Sequence, residues 1–198
     1  MCFNWQVSLG TLIFSWSSAL YLLNKKLTRS QKNNIYFLII FSSIQLADTI
    51  LWLNNMKQNK VNYLVTSFLI PIILSAQVIF NLYIRNNFYN ILLNIFVIFY
   101  IILLFKEFNG YSTNVCNNYF SSPLWSAYTS SGKQKKHPEI TLGNLILFAF
   151  LIFYPNCNKL IFWIGIFFPL MHYFISAGYG SFWCFAANIM ALWYLIKY

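Results

Sequence analysis

Carboxylates are nearly missing from this chain. Of its 198 residues only Asp48, Glu107 and Glu139 are acidic, against 13 lysines and arginines, for a formal net charge of +10. Charged residues of both signs make up 8%, where a soluble domain carries about 25%. Such a chain cannot cover itself with a solvated surface. Histidine is scarcer still, with two, and the sequence holds no Cys-x-x-Cys and no His-x-x-x-His. A catalytic zinc needs three protein ligands, so no metal site is expected. Glycine-rich phosphate loops and a Gly-x-Ser-x-Gly elbow are absent as well. A retinal Schiff base needs a lysine inside an apolar run, and Lys197 stands at the end of the last one. No cofactor is expected.

What the chain has is apolar length. Hydrophobic residues make up 59% and aromatics 21%, with a mean hydropathy of +0.58. A membrane-spanning helix needs about 20 mostly apolar residues. Seven windows qualify, at approximately 6–23, 34–53, 62–83, 88–105, 140–155, 159–177 and 180–197. The predicted fold is an all-α, polytopic integral membrane protein: a seven-transmembrane-helix bundle forming one domain over 1–198. Its connectors are short apart from one long external loop at 106–138. Pro155 ends the fifth window, and Pro71 is expected to kink the third and free a backbone carbonyl. Aromatic belts at the two interfaces account for much of the aromatic content.

The positive charge sits between the apolar runs. Lys25, Lys26, Arg29 and Lys32 share the first connector, and Lys133, Lys135 and Lys136 share another. Such residues face water and lipid headgroups. No basic face interleaved with aromatics offers itself to nucleic acid. The expected partner is the lipid bilayer, with a small ion, a proton or a small molecule as ligand; a homo-oligomer is compatible with this reading. The tail "MCFNW" has no basic residue while the first connector has four. That bias places the N-terminus outside or in a lumen and the C-terminus in the cytosol. No basic n-region precedes the first apolar run, so that run is expected to remain as a helix.

Against this background Asp48, in "FLIIFSSIQLADTILWLNN", is costly. A carboxylate at mid-membrane costs at least ~2.5 kcal/mol, so it should face the bundle interior with a polar partner from the third, sixth or seventh span. Gln45 and Trp52 lie on its helical face. The third span offers Gln77 and Asn81 one turn apart, the sixth His172, and the seventh Asn188. Each could be interhelical glue of roughly 0.6 kcal/mol. Together, Asp48, Gln45, Gln77, Asn81, His172 and Asn188 read as one polar pocket or pathway. Cys2 and Cys116 fall on the same side in this topology. They pair if that side is oxidising and otherwise stay free thiols.

Several stretches together resemble a family of small multi-span membrane proteins found in giant DNA viruses, protists, fungi and bacteria. "MCFNWQVSLGTLIFS" is similar to its Met-Cys-Trp-Ser/Asn opening, with Phe3 in place of the tryptophan. "QLADTILWLNN" is similar to a Gln-Leu-x-Glu stretch ending in Trp, with Asp48 at the Glu position. "PIILSAQVIFN" resembles a Gln-Pro-containing helix, with Val78 for the proline, and "GSFWCFAAN" resembles a closing Gly-Ser-x-Trp-Cys and Asn. The loop "GKQKKHPEI", with His137, matches the family's Gly-x-His-x-x-Trp only loosely. The resemblance implies the same polar set and no particular activity.

Three functions fit these residues. The first is a channel, transporter or small-ligand-binding protein with its site around Asp48, and no enzyme. The second is a membrane-embedded lipid hydrolase or transferase, with Asp48 and His172 as acid and base and Ser75 or water as nucleophile. The third is a structural protein of a viral or internal membrane.

Overall fold

A computed structural model describes residues 4–84, 91–116, 121–135 and 182–198. The windows predicted at 140–155 and 159–177 lie outside the described residues, so five helical rods can be compared with seven expected spans. Three of the five are long and apolar enough to cross a membrane: Trp5–Leu23, Arg29–Leu53 and Lys60–Tyr83.

The first rod, α1 (Trp5–Leu23), starts where the Asn4 side chain accepts the Val7 amide. It buries Ser8, Leu12, Ser15, Ser18, Ala19 and Leu22 and leaves Ile13, Phe14, Leu20 and Tyr21 exposed. Small and hydroxyl-bearing residues point inward and large apolar ones outward, an arrangement suited to a lipid surround. The second rod, α2 (Arg29–Ser42) and α3 (Ile44–Leu53), opens on a capping box between Thr28 and Gln31. It is interrupted at Ser43. There Ser42 and Ser43 turn their hydroxyls back onto the Leu38 and Ile39 carbonyls, each at 2.8 Å, and the ladder tightens to a Leu46 N–H to Ser43 carbonyl bond. Back-bonding serines bend helices in this way. The rod ends with Asn55 in left-handed backbone (φ 51°) and the Met56 amide bonded to the Leu51 carbonyl, a Schellman closure.

The third rod comprises α4 (Lys60–Leu64), a π-helical turn (Val65–Leu69) and α5 (Ile70–Ile84). Pro71 has no amide to give to the carbonyl four residues back. The disturbance expected there takes the form of the wider π turn just before it, in which the Ile70 amide reaches the Val65 carbonyl. The fourth rod, α6 (Ile91–Glu107), buries only Val97, Tyr100 and Leu104 along its inward stripe. The last, α7 (Phe182–Lys197), sets Ala186, Ala187, Met190 and Ala191 into the core. Helix α1 packs on α2, α3 and α7; α2 also meets α5 and α7, and α5 meets α6.

The chain departs from an all-α fold within the segment expected to be a long loop. Strands β1 (Gly110–Cys116) and β2 (Ser121–Thr129) pair antiparallel, with Tyr111 opposite Tyr128 and Thr113 opposite Leu124. β-branched and aromatic residues favour this pleated form. The hairpin lies against α3, α4 and the π turn, capping one end of the bundle. Basic residues stand at both ends: Lys25, Lys26, Arg29 and Lys197 at one, and Lys57, Lys60, Lys106 and Lys133 at the hairpin end. The orientation expected for the chain therefore rests on its first connector.

Candidate functional site

Asp48 is fully buried on α3, as is Gln45 one turn before it, and neither is without partners. Thr49 donates its hydroxyl back to the Gln45 carbonyl at 2.7 Å. The Asp48 Oδ1 atom accepts a hydrogen bond of 2.8 Å from the indole Nε1–H of Trp125, which is 2% exposed and packs beside Phe108. The sequence assigns Asp48 a partner on another span. The partner described here comes from β2, 77 residues further along the chain.

The hairpin aims Trp125 through an irregularity. Between the Tyr111–Tyr128 and Thr113–Leu124 pairs, Ser112 alone stands opposite Trp125, Ser126 and Ala127. This is a β-bulge, a device that re-aims side chains and increases local twist. Ser126 holds left-handed backbone, with φ 55°, a conformation uncommon for any residue with a side chain. Its amide donates to Ser112 Oγ at 3.2 Å, its hydroxyl donates to the Glu107 carbonyl at 2.7 Å, and Lys135 Nζ reaches both Ser126 Oγ and that carbonyl. Burial lowers the pKa of Lys135 from its ordinary 10.5, while the charge of Glu107 works in the opposite direction.

Strand β1 is anchored to the third rod by a neutral network that meets the bulge at Ser112 Oγ. The Asn62 side chain serves Ser112 as a strand would, accepting its amide at 2.8 Å and donating to its carbonyl at 2.8 Å. Thr66 Oγ1 donates to Asn62 Oδ1 at 3.0 Å and lies 2.6 Å from Ser112 Oγ. The next residue of the π turn, Ser67, bonds through its Oγ both the amide (3.0 Å) and the carbonyl (3.3 Å) of Gly110. Glycine is required there: φ is 154°, and a Cβ would fall 1.8 Å from the Tyr128 carbonyl oxygen.

The other expected site residues divide. Gln77, buried on α5, donates at 3.4 Å to the Phe41 carbonyl, one turn before Gln45 on the interrupted rod. Asn81 is buried one turn beyond Gln77. Asn188 joins a different interface, where its Oδ1 accepts from Ser15 on α1 at 3.2 Å. Ser75 is buried, its hydroxyl with no hydrogen-bond partner among the described residues. His172, His137 and Cys2 lie outside the described residues, as does the side chain of Cys116, so the Cys2–Cys116 pairing has no geometry to meet. No cluster of three His, Cys, Asp or Glu side chains occurs among the described residues.

Trp125, Asn62, Thr66, Ser67, Ser112 and Ser126 go unmarked in the sequence reading. A signal for some of them exists: Asn62 and Thr66 form a polar i, i+4 pair at the entry to an apolar run, and "PLWSAYT" carries strand-forming residues. No family model, curated protein or solved structure matches the chain.

Proposed function

We propose that this chain is a seven-span membrane protein, and not an enzyme, whose buried polar site around Asp48 holds or passes a small ion, a proton or a small ligand. It would act as a channel, a transporter or a ligand-binding protein. The observation that carries this reading is the fully buried Asp48 carboxylate on a membrane-length apolar rod, covered by the indole of a separate element. The chain has neutral ways of building structural contacts and uses them at Asn62, Gln77 and Asn188. A neutral amide at position 48 could accept the same indole hydrogen bond at far lower cost than a carboxylate in an apolar surround. Retaining one of only three acidic residues there points to a role for its charge.

The test is flux through proteoliposomes, read separately for protons, sodium and potassium. Asp48→Asn keeps an oxygen for Trp125 and should fold like the parent while losing at least about tenfold in flux, the loss of more than ~1.4 kcal/mol of interaction that charge supplies. Parent-like flux in Asp48→Asn, or none in the parent for any of the three, would sink the transport reading.

A further inference from the structure

We infer that the bulge Trp125–Ala127 is the gate of the Asp48 site, with Trp125 as its lid and the Ser126 backbone as its hinge. This rests on reading Asp48 as the site and adds how access to it is controlled.

The two strands of the hairpin are held in different ways. Strand β1 is fixed: Gly110 and Ser112 each have both backbone groups bonded to side chains of the third rod. Reciprocal bonds of this kind leave the strand no exchange partner in a buried setting. Strand β2 is fixed at its ends by pairing with β1, at Leu124 on one side and Tyr128 on the other. Between them the ladder to β1 is broken: the Ala127 carbonyl accepts the Lys135 amide at 2.8 Å, and Trp125 and Ser126 take their position from side-chain contacts.

Ser126 is where that position is decided. Its left-handed backbone is disfavoured for a residue with a Cβ. It is retained because Ser112 Oγ, the Glu107 carbonyl and Lys135 converge on its amide and hydroxyl. If Ser126 relaxes to extended backbone, the preceding peptide plane turns, the bulge loses these contacts, and Trp125 leaves Asp48. Strand β1 and the rod beneath it need not move. The closed arrangement therefore combines a strained element that can relax with a plug on a carboxylate, which are the parts a gate requires. An arriving cation competes with the indole N–H for Asp48 Oδ1, so occupancy and opening are coupled.

The experiment uses the chain's poverty in carboxylates. A water-soluble carbodiimide with an amine nucleophile is applied to the full-length protein in nanodiscs, and the ratio of labelled to unlabelled Asp48 peptide is followed over time by mass spectrometry. The parent should modify slowly at Asp48. Trp125→Ala, which removes the lid, and Ser126→Val, whose branched side chain is incompatible with left-handed backbone, should each raise this ratio at least about tenfold. Trp125→Phe, which keeps the ring and loses the N–H, should raise it less. Circular dichroism and gel filtration select variants that keep the parent's helical content and size. Ser126→Gly, which leaves the closed backbone accessible, provides a milder increase if the bulkier changes unfold the hairpin.

Rapid modification of Asp48 in the parent, or an unchanged ratio in the folded variants, overturns the gate. Flux measured on the same variants in proteoliposomes keeps the two proposals apart. A parent without flux refutes the transport reading, while the modification ratios still decide whether Trp125 covers Asp48. A raised ratio together with raised flux supports both.

Discussion

Two buried polar clusters hang from one hairpin and are built in opposite ways. At Ser112, β1 meets Asn62 through its backbone and Thr66 through the Ser112 hydroxyl, in short contacts between neutral groups with donors and acceptors matched. At Trp125, an aromatic donor from an irregular stretch of β2 meets a carboxylate buried in an apolar rod. The first is what a fold needs to attach a strand to a helix in a dry environment, where every backbone group must find a partner. The second involves an ionisable carboxyl group and a strained backbone, neither of which attachment requires. One hairpin thus carries both an anchor and a contact with the chemistry of a site. Residues on the anchor should affect stability most, and residues at the site should affect function more than stability.

The largest loss of stability is expected from the anchor. Asn62→Leu leaves the Ser112 amide and carbonyl without the Asn62 side chain, while the Thr66 hydroxyl keeps Ser112 Oγ. At ~1–3 kcal/mol for each of the two orphaned buried groups, the cost should be about 2–6 kcal/mol. Unfolding in mixed micelles with increasing denaturing detergent measures it, and a loss below ~1 kcal/mol would show that the anchor does not bind the hairpin. Gly110→Ala comes next, at ~2 kcal/mol or more, since the new Cβ meets the Tyr128 carbonyl and the backbone is unsuited to alanine. Its specific sign is loss of the strand signal in infrared spectra while the helical signal remains.

At the site the effects should be smaller and should depend on chemistry. Asp48→Leu orphans the indole N–H and should cost ~1–3 kcal/mol, whereas Asp48→Asn, which still accepts that bond and removes the cost of burying a carboxylate, should be at least as stable as the parent. Equal costs for the two would mean that the Trp125 contact contributes nothing.

The smallest effect concerns Lys135. Its pKa is lowered in the folded chain, so the unfolded chain binds the proton more tightly. Burying the ammonium therefore costs stability at neutral pH, and that cost is relieved as pH rises from the lowered value toward 10.5. The difference in melting temperature between pH 8 and the alkaline end should be under ~2 °C larger for the parent than for Lys135→Met. An identical pH response in both would remove Lys135 from the hinge electrostatics.

How much of this could be read in the sequence follows from the range of the interactions. The rods were legible because apolar length is a local property: the windows at 6–23 and 34–53 correspond to α1 and to the α2–α3 rod. The burial of Asp48 was legible from energy alone, since a carboxylate in that run has nowhere cheaper to go. The face shared by Gln45 and Asp48 follows from helical spacing. Trp125 was not legible as the partner, because the contact joins residues 77 apart and the bulge breaks the alternation that marks a strand. Pro71 announced an irregularity but not its form, which the π turn and its Ser67 contacts to Gly110 supply. Asn188 looks from sequence like Gln77, yet one faces α1 and the other α2, a difference set by helix packing.

Asp48 is the sole aspartate of the chain, and this allows the charged site to be observed directly. Aspartate labelled with carbon-13 at its carboxyl gives one protein resonance in nanodiscs, with no assignment problem. That resonance is titrated first with protons and then with sodium and potassium, in the parent and in Trp125→Ala. If Asp48 is a site closed by a movable lid, the resonance shifts saturably with at least one of these, and in Trp125→Ala the shift occurs at lower concentration. A resonance unmoved by all three in both proteins would make Asp48 a structural contact like Asn62, and would contradict the distinction between anchor and site.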